Sequence, residues 1–323
     1  MNCATLLITL LMAVTNRSHA TEAALPVGDQ HLTHVLQETG QEIPFRLYVP
    51  KGYDGSKSYP LIVVLHGGGS DEDRVFDGTD IKSLAEARQV MVVAPRGYDK
   101  FGGYGNFLPI VTTPQAAARA ELVITPASVR QAAELRSAQA DHTSQAQAPE
   151  EKGNAKPATM EALAPASPEA YVEMPASKII DPRVVDLSER DVMEVLDWVE
   201  ARYRVDPRRV YLTGNSMGGI GTEFLAVKYP QLWAAVAPAG CPTPVWSYPF
   251  EQLSKSHVAV LFVHGELDNL SAPRWSRALA DAGVQHGVDA RFLLIPGASH
   301  VSGWPQALPQ IFDFLLAHQR SQP

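Results

Sequence analysis

The sequence predicts an α/β fold, with a mostly parallel central sheet and helices on both faces. Three observations predict it. Continuous apolar runs of strand length recur, as in LIVVL at 61–65 and VMVVA at 90–94, which suits strands buried on both faces. Segments with apolar residues at helical spacing lie between such runs, as parallel strands require. A Gly-Asn-Ser-Met-Gly-Gly turn at 214–219 joins one strand to one helix.

Each element has its own signal. Residues 45–49 form a strand closed by Pro50-Lys51-Gly52, and residues 61–65 form the next. A helix over 79–89 places Ile81, Leu84, Ala85 and Ala87 on or near one face, and Pro95 ends the strand over 90–94. A helix over 191–202 spaces Val192, Val195, Leu196 and Val199 at helical intervals. A short strand over 210–213 enters Gly214, and helix signals run from Ile220 to Tyr229-Pro230. Strands follow at 234–237, 257–263 and 290–295, with helices at 272–283 and 306–318.

One stretch breaks the alternation. Residues 108–170 contain no Phe, Trp or Tyr and are rich in Ala, Gln, Pro, Glu and Ser. Such a composition buries too little apolar area to offset its ordering entropy. Residues 112–172 therefore read as a flexible insertion, whose first half has the composition for one or two helices. The expectation is a single domain over 21–323 carrying this insertion.

Residues 1–20 read as a secretory signal. The apolar run TLLITLLMAV is too short to span a bilayer, and Ser18-His19-Ala20 suits a cut after Ala20. The leader MNCA lacks Lys and Arg, and Arg17 lies close to the cut; the alternative is a buried N-terminal helix. No later segment is long and apolar enough to cross a membrane. The expected location is therefore secreted or periplasmic. The net charge of −8 gives no basic surplus for nucleic acid, and the two cysteines, Cys3 and Cys241, rule out a disulfide scaffold or a cysteine-built metal cluster.

The strongest chemical signal is the G-x-S-x-G pattern at 214–218. A sharp strand-to-helix turn exposes the Ser216 hydroxyl at the carboxyl end of the sheet, and flanking glycines relieve crowding there. A serine needs a base. His300, in the loop PGASH after the strand RFLLIP, fits best. His19 leaves with the signal; His31, His34 and His142 precede the serine; His257 and His264 sit at strand ends; His286 and His318 lie on helical or polar surface. Asp268, in HGELD after VAVLFV, is the acid that holds the imidazole, ahead of Glu266 and Asp289. The chain order is then Ser, Asp, His. The run His66-Gly67-Gly68-Gly69 follows a strand and offers backbone N–H donors for an oxyanion. Gly67 or Gly68 supplies one donor and Met217 the other. Trp304, Tyr98 and Trp246 are the candidate substrate-binding aromatics, because they follow strand ends where ligands bind.

Together these elements resemble the α/β-hydrolases, and within them the secreted esterases that include polyhydroxybutyrate depolymerases and feruloyl esterases. The resemblance rests on RLYVPKGYDGSKSYPLIVVLHGGGSDED, VVAPRGY, DPRRVYLTGNSMGGIGTEFLAVKYPQLWAAVAPAG, VLFVHGELDNL and IPGASH. It covers roughly 40–318 outside the insertion. It implies a serine carboxylesterase with the triad Ser216, Asp268 and His300, acting through an acyl-enzyme without a metal or organic cofactor. The implied partner is a small-molecule or polymeric ester, with no nucleic acid, no stable membrane insertion and no obligate protein partner. Two departures stand out: the chain without its signal has one cysteine where relatives often carry disulfides, and the insertion replaces a short connection. The alternative is a serine peptidase of prolyl-oligopeptidase-like type acting on small peptides, since the same triad cleaves amides.

Overall fold

A computed structural model of the chain describes residues 25–105, 181–243, 245 and 248–321. The expected signal at 1–20, the insertion at about 112–172 and Trp246 all lie outside the described residues. Eight strands form one sheet: β1 (Gly28–Val35), β2 (Glu42–Val49), β3 (Tyr59–Leu65), β4 (Met91–Pro95), β5 (Val205–Asn215), β6 (Ala235–Ala239), β7 (Ala259–Gly265) and β8 (Ala290–Ile295). Their spatial order is β1-β2-β4-β3-β5-β6-β7-β8. The pairs β1–β2 and β2–β4 are antiparallel and the remaining pairs are parallel.

The helices are α1 (Glu72–Asp77), α2 (Ile81–Arg88), α3 (Pro182–Arg202), α4 (Met217–Lys228), α5 (Phe250–Ser256), α6 (Pro273–Gln285) and α7 (Gly303–Leu316). Strand alternation divides the core between the two sheet faces. Leu61, Val63 and Leu65 of β3 meet Val192, Val195 and Val199 of α3 and Leu225 of α4. Ile62 and Val64 of the same strand meet Phe76 of α1, Ile81 of α2 and the apolar face of α7. The expected sheet with helices on both faces is the observed architecture. Among the described residues no helix is long and apolar enough to cross a membrane.

Several elements differ from their sequence expectation. Strand β1 and helices α1 and α5 carried no expectation. β1 is a half-exposed edge strand and both helices are short. α3 starts at Pro182, nine residues before the expected start. Its N-cap Asp181 accepts from Arg183 N–H, and Pro182 suits a first helical turn. β5 starts at Val205 despite Pro207, because the register against β3 shifts between Tyr59 and Leu61. His257 starts no strand. It caps α5 in the left-handed region at φ 55, and β7 begins two residues later.

The turn after β4 is fastened to α3. Gly97 N–H donates to Asp191 Oδ2 at 2.7 Å, and Tyr98 N–H donates to Ser188 Oγ at 2.9 Å. A Cβ on Gly102 would stand 2.7 Å from Val184 Cγ1. His34 of β1 closes the junction, with Nε2 at 2.6 Å from Asp191 Oδ1.

Candidate active site

Ser216 stands between β5 and α4 with φ 58 and ψ −117. This is left-handed backbone that a side-chain-bearing residue rarely adopts. Strand β6 and the first turn of α4 hold it there. Its N–H donates to the Ala239 carbonyl of β6 at 2.8 Å, and its carbonyl accepts from Ile220 N–H at 2.9 Å. Gly218 permits the crossing of α4 over β3, since a Cβ there would stand 2.1 Å from the Leu65 carbonyl oxygen.

Two loops converge on this turn. A Cβ on Gly67 would lie 3.8 Å from Ser216 Cβ and 3.3 Å from the Asn215 carbonyl oxygen, so the HGGG segment abuts the serine. Gly68 beside it is buried. His66 ties this segment to the turn after β4, with Nδ1 at 2.9 Å from the Gly67 carbonyl and Nε2 at 2.6 Å from the Arg96 carbonyl. Burial pushes the His66 imidazolium down, which favours the neutral ring. A neutral ring donates to one of those two carbonyls at a time. Met217 opens α4, where the first N–H groups lack intrahelical partners.

On the other side, Gly240 lies after β6 at φ 64, and a Cβ there would come 3.4 Å from His300 Cε1. Asn215, the residue before the serine, donates from Nδ2 to the His300 carbonyl at 3.3 Å. His300 and Asp268 are both buried, and His300 Nδ1 lies 2.7 Å from Asp268 Oδ2. The other carboxylate oxygen accepts from Leu270 N–H and Ser271 N–H, each at 2.9 Å. Burial alone would push the Asp268 carboxyl up. Hydrogen bonds from His264 and His300, with that from Ser271, overcome burial and hold it well below the usual carboxylate range. Asp268 is therefore an ionised partner for His300 at neutral pH. Glu266 is occupied elsewhere, accepting from Gly297 N–H at 2.8 Å. Asp289 pairs with Arg291 at the start of β8, the end of the sheet away from these loops.

The aromatic expectations fare differently. Trp304 is 5% exposed, packs with α7 against the sheet, and donates its indole N–H to Thr213 Oγ1 at 3.1 Å. The cause is the start of α7 at Gly303, three residues before the expected start, which turns the indole onto the sheet. Tyr98 is partly buried and packs on Leu36, Ile43 and Leu187 beside β1 and β2. Sequence reasoning passed over His264 and Asn215. His264 lies four residues before Asp268, a spacing that signals contact only once the intervening turn is known.

Behind the serine turn, Glu223 of α4 is fully buried and accepts from the Thr243 hydroxyl. Burial raises its carboxyl from 4.5 to about 8. The folded protein therefore holds this proton more tightly than the unfolded chain. The stability this confers is complete below the unfolded value and declines as pH rises through about 8. Glu223→Gln, which stays neutral, is expected to melt above the parent at pH 9, with the difference shrinking at pH 5. Thermal scans at the two pH values check this; a pH-independent difference would contradict it.

Among the described residues no cluster of three or more His, Cys, Asp and Glu side chains is arranged to hold a metal ion. Residues 192–310 match the family model described as "Putative esterase". Acetylxylan esterase A of Emericella nidulans is 42% identical over 52 residues, 16% of this chain and 17% of that protein. Poly(3-hydroxyalkanoate) depolymerase C of Paucimonas lemoignei is 40% identical over 52 residues, 16% of this chain and 13% of that protein. The chain thus spans less than a fifth of the length of these curated relatives. A solved CE1 ferulic acid esterase from Anaeromyces mucronatus, in complex with ferulic acid, superposes with a TM-score of 0.54 at 16% identity. That superposition covers 97% of this chain and 98% of the other, and it speaks for the fold.

Proposed function

We propose that this α/β-hydrolase-fold relative of the esterases hydrolyses carboxylic esters with Ser216, His300 and Asp268 as its triad. The observation that carries the reading is the 2.7 Å contact between His300 and Asp268, made in loops that flank a serine held at positive φ. Ser216 Oγ attacks the ester carbonyl carbon while His300 Nε2 takes its proton. Asp268 holds the opposite ring nitrogen and stabilises the imidazolium that forms. Backbone N–H groups of Met217 and of Gly67 or Gly68 bind the tetrahedral oxyanion. Collapse of that intermediate breaks the C–O bond, and His300 returns the proton to the departing alcohol. Water, deprotonated by His300, then attacks the acyl-enzyme and releases the acid.

The family match and the relatives' names direct this reading to esters of small acids, free or attached to polymers. The apolar run and Ser18-His19-Ala20 at the N-terminus direct it to a secreted or periplasmic location. The test compares parent protein and Ser216→Ala on p-nitrophenyl acetate, butyrate and octanoate, methyl ferulate and an Ala–Pro anilide. Ester turnover that disappears in the variant is the expected result. Ester turnover retained by the variant would sink the triad. Cleavage of the anilide alone would make the protein a peptidase.

A further inference from the structure

We propose that His264 is a positioning residue for the catalytic pair, sharing with His300 the carboxylate oxygen of Asp268 that faces the base. The inference rests on the triad reading above and deepens it. His264 lies one residue before the end of β7 and is 1% exposed. Its Nε2 lies 3.1 Å from Asp268 Oδ2, the oxygen that also faces His300 Nδ1 at 2.7 Å. The same Nε2 lies 2.7 Å from the Ser271 carbonyl, and Nδ1 lies 2.8 Å from Ser276 Oγ of α6. Both neighbours of Nε2 are acceptors, so the proton resides there, and Nδ1 accepts from the Ser276 hydroxyl.

Asp268 is therefore held on both oxygens: two backbone N–H groups donate to Oδ1, His300 meets Oδ2 at 2.7 Å, and the His264 N–H, directed chiefly at the Ser271 carbonyl, lies 3.1 Å from the same oxygen. This has two effects. The carboxylate cannot rotate away from His300, because both oxygens are held. The His264 N–H also takes a share of the negative charge on Oδ2, so less of it stabilises the His300 imidazolium. The titratable groups around this cluster are His264, Asp268 and His300 themselves. Cys241 lies beyond Gly240, with its thiol pushed up by burial and hence uncharged. Glu266 is engaged by Gly297 N–H.

The sign follows. Turnover needs neutral His300. Removing the His264 donor leaves more charge on Oδ2, favours the imidazolium and moves the acidic limb of the kcat/KM profile to higher pH. His264→Leu is expected to move that limb to higher pH and to lower kcat/KM roughly tenfold. His264→Gln, whose Nε2 reaches the same position, is expected to restore both. Ser276→Ala frees the ring without emptying its site, so it is expected to shift the limb the same way by less; it keeps the test alive if the leucine variant does not fold.

The measurement is the pH dependence of p-nitrophenyl butyrate hydrolysis, with folding of each variant verified by circular dichroism. A folded His264→Leu or Ser276→Ala protein with lower turnover and an unmoved acidic limb would reduce His264 to a structural part and overturn the proposal. Failure of the triad itself reads out separately, as ester turnover surviving Ser216→Ala.

Discussion

Ser216→Gly is expected to abolish ester turnover and at the same time make the protein more stable. The nucleophile is the reason for the first effect. Removing the serine of such a triad lowers kcat by about 10⁶-fold, leaving only what binding and the oxyanion donors supply. The backbone is the reason for the second. At φ 58 and ψ −117 a residue with a Cβ is strained by roughly 1–3 kcal/mol. Glycine removes that strain but adds freedom to the unfolded chain, at a cost of about 0.5–1 kcal/mol. The balance is a gain of about 1 kcal/mol. Ser216→Ala, which keeps the Cβ, loses the activity without the gain. Urea unfolding of the three proteins beside an ester assay checks both effects. A glycine variant less stable than the alanine variant would mean that the turn is not strained.

Gly218→Ala is expected to cost more stability than a methyl group added at Gly67, Gly102 or Gly240. The added carbon would stand 2.1 Å from the Leu65 carbonyl oxygen, 2.6 Å from its carbon and 2.7 Å from the His66 carbonyl oxygen. All three neighbours are backbone atoms, so no rotamer change relieves the clash. Either α4 lifts from the sheet or the end of β3 is displaced, and β3 lies in the middle of the core. A loss of about 3 kcal/mol, at the upper end of what overpacking costs, is expected because only backbone can move. The accompanying loss of turnover should exceed what the unfolded fraction explains, because Gly67 and Met217 flank the displaced joint. Denaturant melts and specific activity per folded molecule measure the two losses. A variant within about 1 kcal/mol of the parent would show that α4 and β3 have slack between them.

Much of this was legible in the chain because the deciding residues are local. β3 and β7 read as continuous apolar runs, and every residue of both is buried. The serine turn was marked by its glycines and by the strand and helix on either side. Asp268 and His300 follow strand ends in an order that brings their loops together. What was missed depends on partners distant in sequence. β1 exposes every second residue and fully buries only His34, so its pairing with β2 leaves little apolar signature. The start of β5 is polar and holds Pro207, and only the register shift against β3 accommodates it. Trp304 follows His300 by four residues and suggests a pocket, but the earlier start of α7 buries it against Thr213. His264 lies one residue before the end of a strand, and its contact with Asp268 depends on how the loop at 266–271 folds back.

The fastening of the β4 turn to α3 bears on how this scaffold tolerates change. Gly97, Tyr98 and Gly102 on one side and Val184, Ser188 and Asp191 on the other are held together by contacts that do not involve residues 106–180. The free energy of closing a connection grows only with the logarithm of its length, by about 0.6 kcal/mol per doubling. With both banks already fastened to each other by Gly97, Tyr98, Ser188 and Asp191, a longer connection between them is expected to add little to the cost of closing it.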